Sequence, residues 1–236
     1  MKKIKYYLLL SIIFSLLLIG PDLGQAAEQS VTLTWTTDTY VPLNYQGKAL
    51  PSRGSNIEVV AQLDSPLLNP NELNFNWFIN HHIQKEGSGI NKQIFRFNIG
   101  ESVSKNKIIK VEISNLENTI NISSSLSLKV YDPEIVLIAK KPPFGFSSQY
   151  KFSDDQEIEF TAQPYFFDIK DINELDYQWS FGKQIAKQTN NENLNNFVLK
   201  IGELVSSINQ NLQVFVKNIK NPIQRTQATA NIILIP

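Results

Sequence analysis

The only imidazoles in this chain of 236 residues are His81 and His82, adjacent in sequence, and there is no cysteine. Histidines can ligate a metal or act as a general base. Neighbouring side chains on a strand leave opposite faces, so the pair closes poorly around one ion, and a solvated hairpin turn accounts for it better. A serine nucleophile would need one of them as its base, and no Ser stands in a Gly-x-Ser-x-Gly setting. P-loop, dinucleotide-binding, His-Glu-x-x-His and EF-hand patterns are also missing from the sequence. The expectation is a protein that is not an enzyme, with no catalytic, cofactor-binding or metal-binding residue and no cofactor. Acidic residues do gather mid-chain, at Asp132, Glu134, Asp154, Asp155 and Glu157. Calcium between two domains would need about six to eight converging oxygens, which this spacing allows without demanding; solvated turn carboxylates are the simpler account.

Aromatic side chains are the more telling concentration. They occur in Thr39–Tyr45, with Tyr40 and Tyr45 flanking the apolar Leu43, in Pro142–Phe146, with Phe144 and Phe146, and in Pro164–Phe167, with Tyr165 and Phe166. Loops rich in such residues are costly to leave in water and must pack on something. One reading is contact between domains, or a lid on the open end of a sandwich. The other is a patch for a protein partner or a glycan, and these seven residues are its candidate contacts.

Basic and acidic side chains balance at 22 each, which argues against nucleic-acid binding, and 42% of residues are hydrophobic, enough to build cores. Lys2, Lys3 and Lys5 precede an apolar run from Tyr6 to Ile19, followed by Gly20-Pro21 and the small residues of Gly24-Gln25-Ala26-Ala27. That run is shorter than the roughly 20 residues a membrane-spanning helix needs, and the pattern predicts a secretory signal peptide over 1–27, with an uncleaved anchor as the alternative. Without it the chain carries a net charge of −2 and no electrostatic reason to bind anionic lipid. The expected location is therefore periplasmic, cell-surface or secreted, with membrane contact only through the leader if it is retained.

The rest is one unit written twice. Ile57–Gln62 returns as Ile158–Gln163, Asn71–Trp77 as Asn173–Trp179, Phe95–Glu101 as Phe197–Glu203 and Lys110–Ile113 as Gln213–Val216. The offset grows from 101 to 103, as a tandem duplication with small loop insertions would give. Each block alternates apolar and polar residues with period two, and strands divided by Gly, Asn and Ser turns predict antiparallel β-sandwiches. No segment after the leader holds a helical period; Gly202–Ile208 reads as a turn at a sheet corner. Trp77 and Trp179, on the third strand of each repeat, have alternating neighbours that place them in the structural core; an exposed ring for stacking sugars is the alternative.

The segment Tyr177-Gln178-Trp179-Ser180-Phe181-Gly182-Lys183 resembles the Tyr-x-Trp-x-Phe-Gly strand of the PKD family of immunoglobulin-like domains, and Phe75-Asn76-Trp77-Phe78-Ile79-Asn80 is a weaker version. The two-repeat layout, with its loop Tyr45–Pro51, is also similar to exported envelope proteins of small-genome bacteria. That resemblance implies a spacer or adhesion module beside type IV pilus or secretion components. The expected architecture is all-β: a signal peptide over 1–27, then two tandem immunoglobulin-like sandwiches over 28–132 and 133–236. The expected function is a non-catalytic envelope scaffold or adhesion module with a protein partner, the alternative being a carbohydrate-binding module that uses exposed aromatic loops.

Overall fold

The computed structural model describes residues 29–100, 106–141, 145–153, 156–186 and 193–236. The expected leader, Phe144, Asp154 and Asp155 lie outside them. Alternating sequence becomes strand throughout. The first repeat forms β1 (Val31–Thr37), β2 (Asn56–Leu63), β3 (Leu73–Ile79), β4 (His82–Ile83), β5 (Gly89–Ile90), β6 (Ile94–Asn98), β7 (Asn106–Asn115) and β8 (Asn121–Lys129). The second forms β9 (Glu134–Ala139), β10 (Gly145–Phe146), β11 (Gln149–Ser153), β12 (Glu157–Tyr165), β13 (Leu175–Phe181), β14 (Gln184–Ile185), β15 (Asn196–Lys200), β16 (Ile208–Asn218) and β17 (Arg225–Ile235). Residues 202–207 form no helix.

Each repeat folds as two sheets around its own core. In the first, the sheet β1-β2-β6 faces β4-β3-β7-β8, with β5 added beside β3; in the second, β10-β9-β12-β15 faces β11-β17-β16-β13-β14. One buried cluster draws on residues between Val31 and Val130, the other on residues between Ile135 and Leu234. At the centre of each stands its tryptophan. Trp77 Nε1 donates to Lys92 O at 2.8 Å, and its ring stacks on Phe95 with centroids 5.3 Å apart. Trp179 Nε1 donates to Leu194 O at 3.1 Å, and its ring stacks on Phe197 at the same 5.3 Å. A duplicated sequence has kept a duplicated packing solution, with the indole N–H satisfied inside the core as burial requires.

Pairing is antiparallel except at one place per repeat. In the second sandwich β11 runs parallel to β17, Gln149 opposite Asn231 through Ser153 opposite Ile235. In the first, this strand shrinks to a single parallel bridge, Ser52 to Tyr131, because Pro51 next to it has no N–H to donate. Side-chain volume is redistributed to match. Tyr150 and Phe152 of β11 fill the second core, where Ala139 faces them from β9. In the first repeat the place of Ala139 is taken by Trp35, judged by pairing with Val59 and Phe160, which are equivalent. Its half-buried ring is capped by the Lys48 ammonium 3.4 Å from its centroid. That partial burial lowers the Lys48 pKa. His81 occupies the hairpin between β3 and β4, where Asn80 and His81 both have positive φ, and both histidines are exposed.

Candidate functional site: the junction between the sandwiches

The strap 38–51, which links β1 to the Ser52 bridge, carries the first aromatic cluster away from its own sandwich. Tyr40 donates its N–H to Phe167 O at 2.7 Å and accepts from Phe166 N–H at 2.7 Å, a two-bond ladder between the repeats. Its ring packs against the second sandwich's core, closing the end from which β12 exits. The Tyr45 ring meets Tyr165 edge-on at 5.7 Å and Phe166 at 5.9 Å. Phe166 is buried with φ of 62°, a left-handed conformation that a bulky residue adopts only when its surroundings impose it. The Tyr40 ladder supplies that constraint.

Beside the aromatic contact lies a buried polar one. Ser52, Ser55, Asn218 and Gln224 are all nearly inaccessible to solvent. Gln224 Nε2 donates to Ser52 Oγ at 2.9 Å and to Arg53 O at 2.8 Å, both across the junction. Its Oε1 accepts from Asp168 N–H and from Asn218 Nδ2, each at 2.9 Å. Both amide protons and both lone pairs are thus used, the condition under which a buried amide stiffens an interface instead of weakening it. On the first sandwich's side, Ser55 Oγ donates to Ser52 O at 2.8 Å and closes the turn that presents these acceptors. Gly54, at φ of 81°, completes that turn, and a Cβ there would fall 2.0 Å from Asn221 Nδ2 of the second sandwich. Arg53 also pairs with Asp132 at 3.0 Å, tying the turn to the connecting segment.

Two carboxylates near this joint are shifted in opposite senses. Burial, with the nearby charges of Asp38 and Glu174 adding to it, raises the Asp168 pKa. A hydrogen bond from Lys220, then one from the Lys170 backbone, lowers Glu174 to about 2. By linkage the Glu174 contribution is present above its unfolded value near 4.5 and is lost as pH falls toward 2. Asp168 works the other way: the neutral form favours the folded state, and the gain is lost as pH rises through its raised value. Glu174→Gln is therefore expected to flatten the acid limb of melting temperature against pH. Asp168→Asn is expected to raise stability near neutrality and leave it unchanged at low pH. Burial likewise raises the phenol pKa of Tyr165 and of Tyr177, with neighbouring Tyr40 contributing to both.

Of the candidate contacts, Tyr40, Tyr45, Tyr165 and Phe166 come together at the junction. Leu43 is fully exposed at the tip of the strap, and Phe146 is exposed on β10. Phe144 falls outside the described residues. Among the mid-chain acids, Asp132 pairs with Arg53 and Glu157 with Lys200 at 3.3 Å. Among the described residues, no three His, Asp or Glu side chains converge as a metal site. Ser52, Gly54, Asn218 and Gln224 were not singled out by sequence. The one signal was the second repeat's Gln224 standing where the first has Ile120, a polar residue in place of an apolar one. A separate open groove of about 500 Å³ on the first sandwich is lined by Asp38, Asn56, Glu58, Arg96, Phe97 and Asn98, with Glu58 and Arg96 paired at 2.6 Å.

The strand pairing defines the class: tandem immunoglobulin-like β-sandwiches, in which the first-strand region splits between the two sheets and the last strand closes the second. No protein-family model and no curated protein matches the sequence. Among solved structures, the three N-terminal domains of the outer capsid protein Hoc of bacteriophage RB49 are 13% identical, covering 87% of this chain and 59% of that one, with a TM-score of 0.48. The fibronectin(III)-like modules of Clostridium thermocellum CbhA are 11% identical over 86% of this chain and 93% of that one, TM-score 0.28. Immunoglobulin domains 1–5 of Sidekick-1 are 11% identical over 89% and 40%, TM-score 0.30. The chain spans about three fifths of the length of the first of these and two fifths of the last. Likeness at this level says nothing of what the chain binds.

Proposed function

We propose that this chain is a non-catalytic, exported module of the cell envelope. In this reading its two sandwiches, 28–132 and 133–236, act as one stiff scaffold that presents a surface to a protein partner, such as a pilus or secretion component. The observation that carries it is the junction: aromatic rings and fully bonded buried amides are spent on fixing one repeat against the next. Fixed geometry is what a spacer or scaffold needs and what a flexible linker does not give. Among the described residues of the aromatic segments, Leu43 and Phe146 are apolar and exposed, free to meet a partner. Cross-linking in intact cells through Lys48 and Lys141, each five positions along the chain from one of them, followed by mass spectrometry, tests this. Recurrent envelope proteins attached at those lysines are expected, and recovery of the chain alone would overturn the reading.

The groove lined by Glu58, Arg96 and Asn98 favours a second reading, glycan binding, since paired charges and amides suit sugar hydroxyls. The rings at the junction meet edge-on, so they form no flat stacking platform. Calorimetric titration with oligosaccharides, repeated on Arg96→Ala, distinguishes the two.

A further inference from the structure

Two features of the joint oppose the contacts that close it. The first is Phe166. With Phe167 it stands opposite the single residue Tyr40, a two-against-one bulge whose left-handed position glycine usually fills. The Phe166 backbone is relieved of that strain when the ladder opens. The second feature is Asp168, which is half-buried beside the ladder. Its N–H donates to Gln224 Oε1 and its carbonyl accepts from Asn218 Nδ2 at 3.1 Å, but its carboxylate has no partner among the described residues. The strap brings Asp38, two residues before Tyr40, and the antiparallel ladder draws both carboxylates to the same end of it, one from each sandwich. The other titratable groups of the strap at the joint are the Tyr40 and Tyr45 phenols. Residues 170–174 bring Lys170, Asp171 and Glu174, and the turn between β16 and β17 brings Lys220. None of the bases answers Asp168: Lys220 is bonded to Glu174, Arg53 to Asp132, and Lys170 is exposed without an ion pair among the described residues.

We propose that Asp168 makes the joint a pH-governed hinge, tighter in acid and more often open at neutral pH. Opening returns the ionised carboxylate to water, moves it away from Asp38 and relaxes Phe166. Burial first, then the charges of Asp38 and Glu174, raise the Asp168 pKa in the closed joint. The closed form therefore holds the proton more tightly than the open one. Closure gains fully below the ordinary value of 3.8, and the gain is lost as pH rises through the raised value. Glu174 and Lys220 belong to the same sandwich, so their pair survives opening. The Gln224 network and the tyrosine contacts keep the closed form dominant throughout, and pH sets how often it opens. The inference goes beyond the scaffold reading and does not depend on it.

Amide hydrogen exchange of Tyr40 and Phe166 in the full chain, corrected for the intrinsic rate at each pH, reads the opening of the ladder. Between about pH 4 and about pH 7.5 their protection is expected to fall about three- to tenfold. Val111 and Val214, on the middle strands β7 and β16, should not follow, because the hinge opens without unfolding either sandwich. Asp168→Asn should abolish the fall. Asp38→Asn, at an exposed residue, should reduce it and leave the protection of Val111 and Val214 unchanged. Salt at about 0.5 M should restore part of the protection at pH 7.5 in the unaltered chain and not in Asp38→Asn. Protection that does not change with pH, or that falls equally in Asp168→Asn, overturns the proposal. Neither result bears on partners captured at Lys48 and Lys141 in cells, so this inference and the scaffold reading fail separately.

Discussion

Truncating Trp179 to alanine is expected to cost the second sandwich about 3–5 kcal/mol, the range for removing a buried large aromatic from a packed core. Three contributions add to that figure. The ring is almost wholly buried, so its apolar area is lost outright. Its stacking on Phe197, with planes 20° apart, is lost as well. The hydrogen bond from its indole N–H to the Leu194 carbonyl is lost too. Trp77→Ala should cost the first sandwich a similar amount, since its ring stacks on Phe95 at 21° and its indole bonds Lys92 O. Each substitution should lower the transition of its own sandwich, because the two cores share no buried member. Equilibrium denaturation followed by tryptophan fluorescence measures this, and a loss below about 1 kcal/mol would place the ring outside the core.

The second large effect belongs to Gln224. Replacing it with alanine strips Arg53 O and Asp168 N–H of their partners and opens a void between the sandwiches. Buried groups left unpaired cost about 1–3 kcal/mol each, so a loss of about 2–3 kcal/mol is expected after water partly rescues them. The form of the loss matters as much as its size. With the joint weakened, the transitions of the two sandwiches should separate further than in the unaltered chain. Gln227→Ala, on an exposed position of β17 three residues further along, should change stability by no more than about 0.5 kcal/mol. Equal effects at the two positions would show that the Gln224 network does not hold the junction.

The sandwiches were legible in the sequence because burial on one sheet face writes a period of two, and duplication wrote that pattern twice. Ile57, Val59 and Ala61 point inward, as do Ile158, Phe160 and Ala162, and no third residue has to be known to see it. The exchange of volume that goes with the reduced strand at Ser52 was not legible, since Trp35 fills in one repeat what Tyr150 and Phe152 fill in the other. Periodicity says which side a residue faces, not which of three distant residues supplies the bulk. The aromatic clusters stood out by composition alone, and composition left two accounts open, contact between domains or contact with a partner. Only the fold brings Tyr40 to Phe166 while leaving Leu43, three residues on, in solvent. Gln224 is harder still. Its role arises from partners 171 and 172 residues away, and only the Ile120 at the same place in the first repeat marks it.

The central claim is that the two sandwiches are held as one rigid unit. A pulsed electron–electron distance measurement tests it directly, because a chain without cysteine accepts spin labels at chosen sites only. Labels at Ser125→Cys on β8 and Thr229→Cys on β17 sit on exposed positions of different sandwiches. A single narrow distance distribution is predicted for the otherwise unaltered chain, broadening when Gln224→Ala is added. A broad distribution in the unaltered chain would contradict the account, since sandwiches free to swing cannot present one surface to a partner.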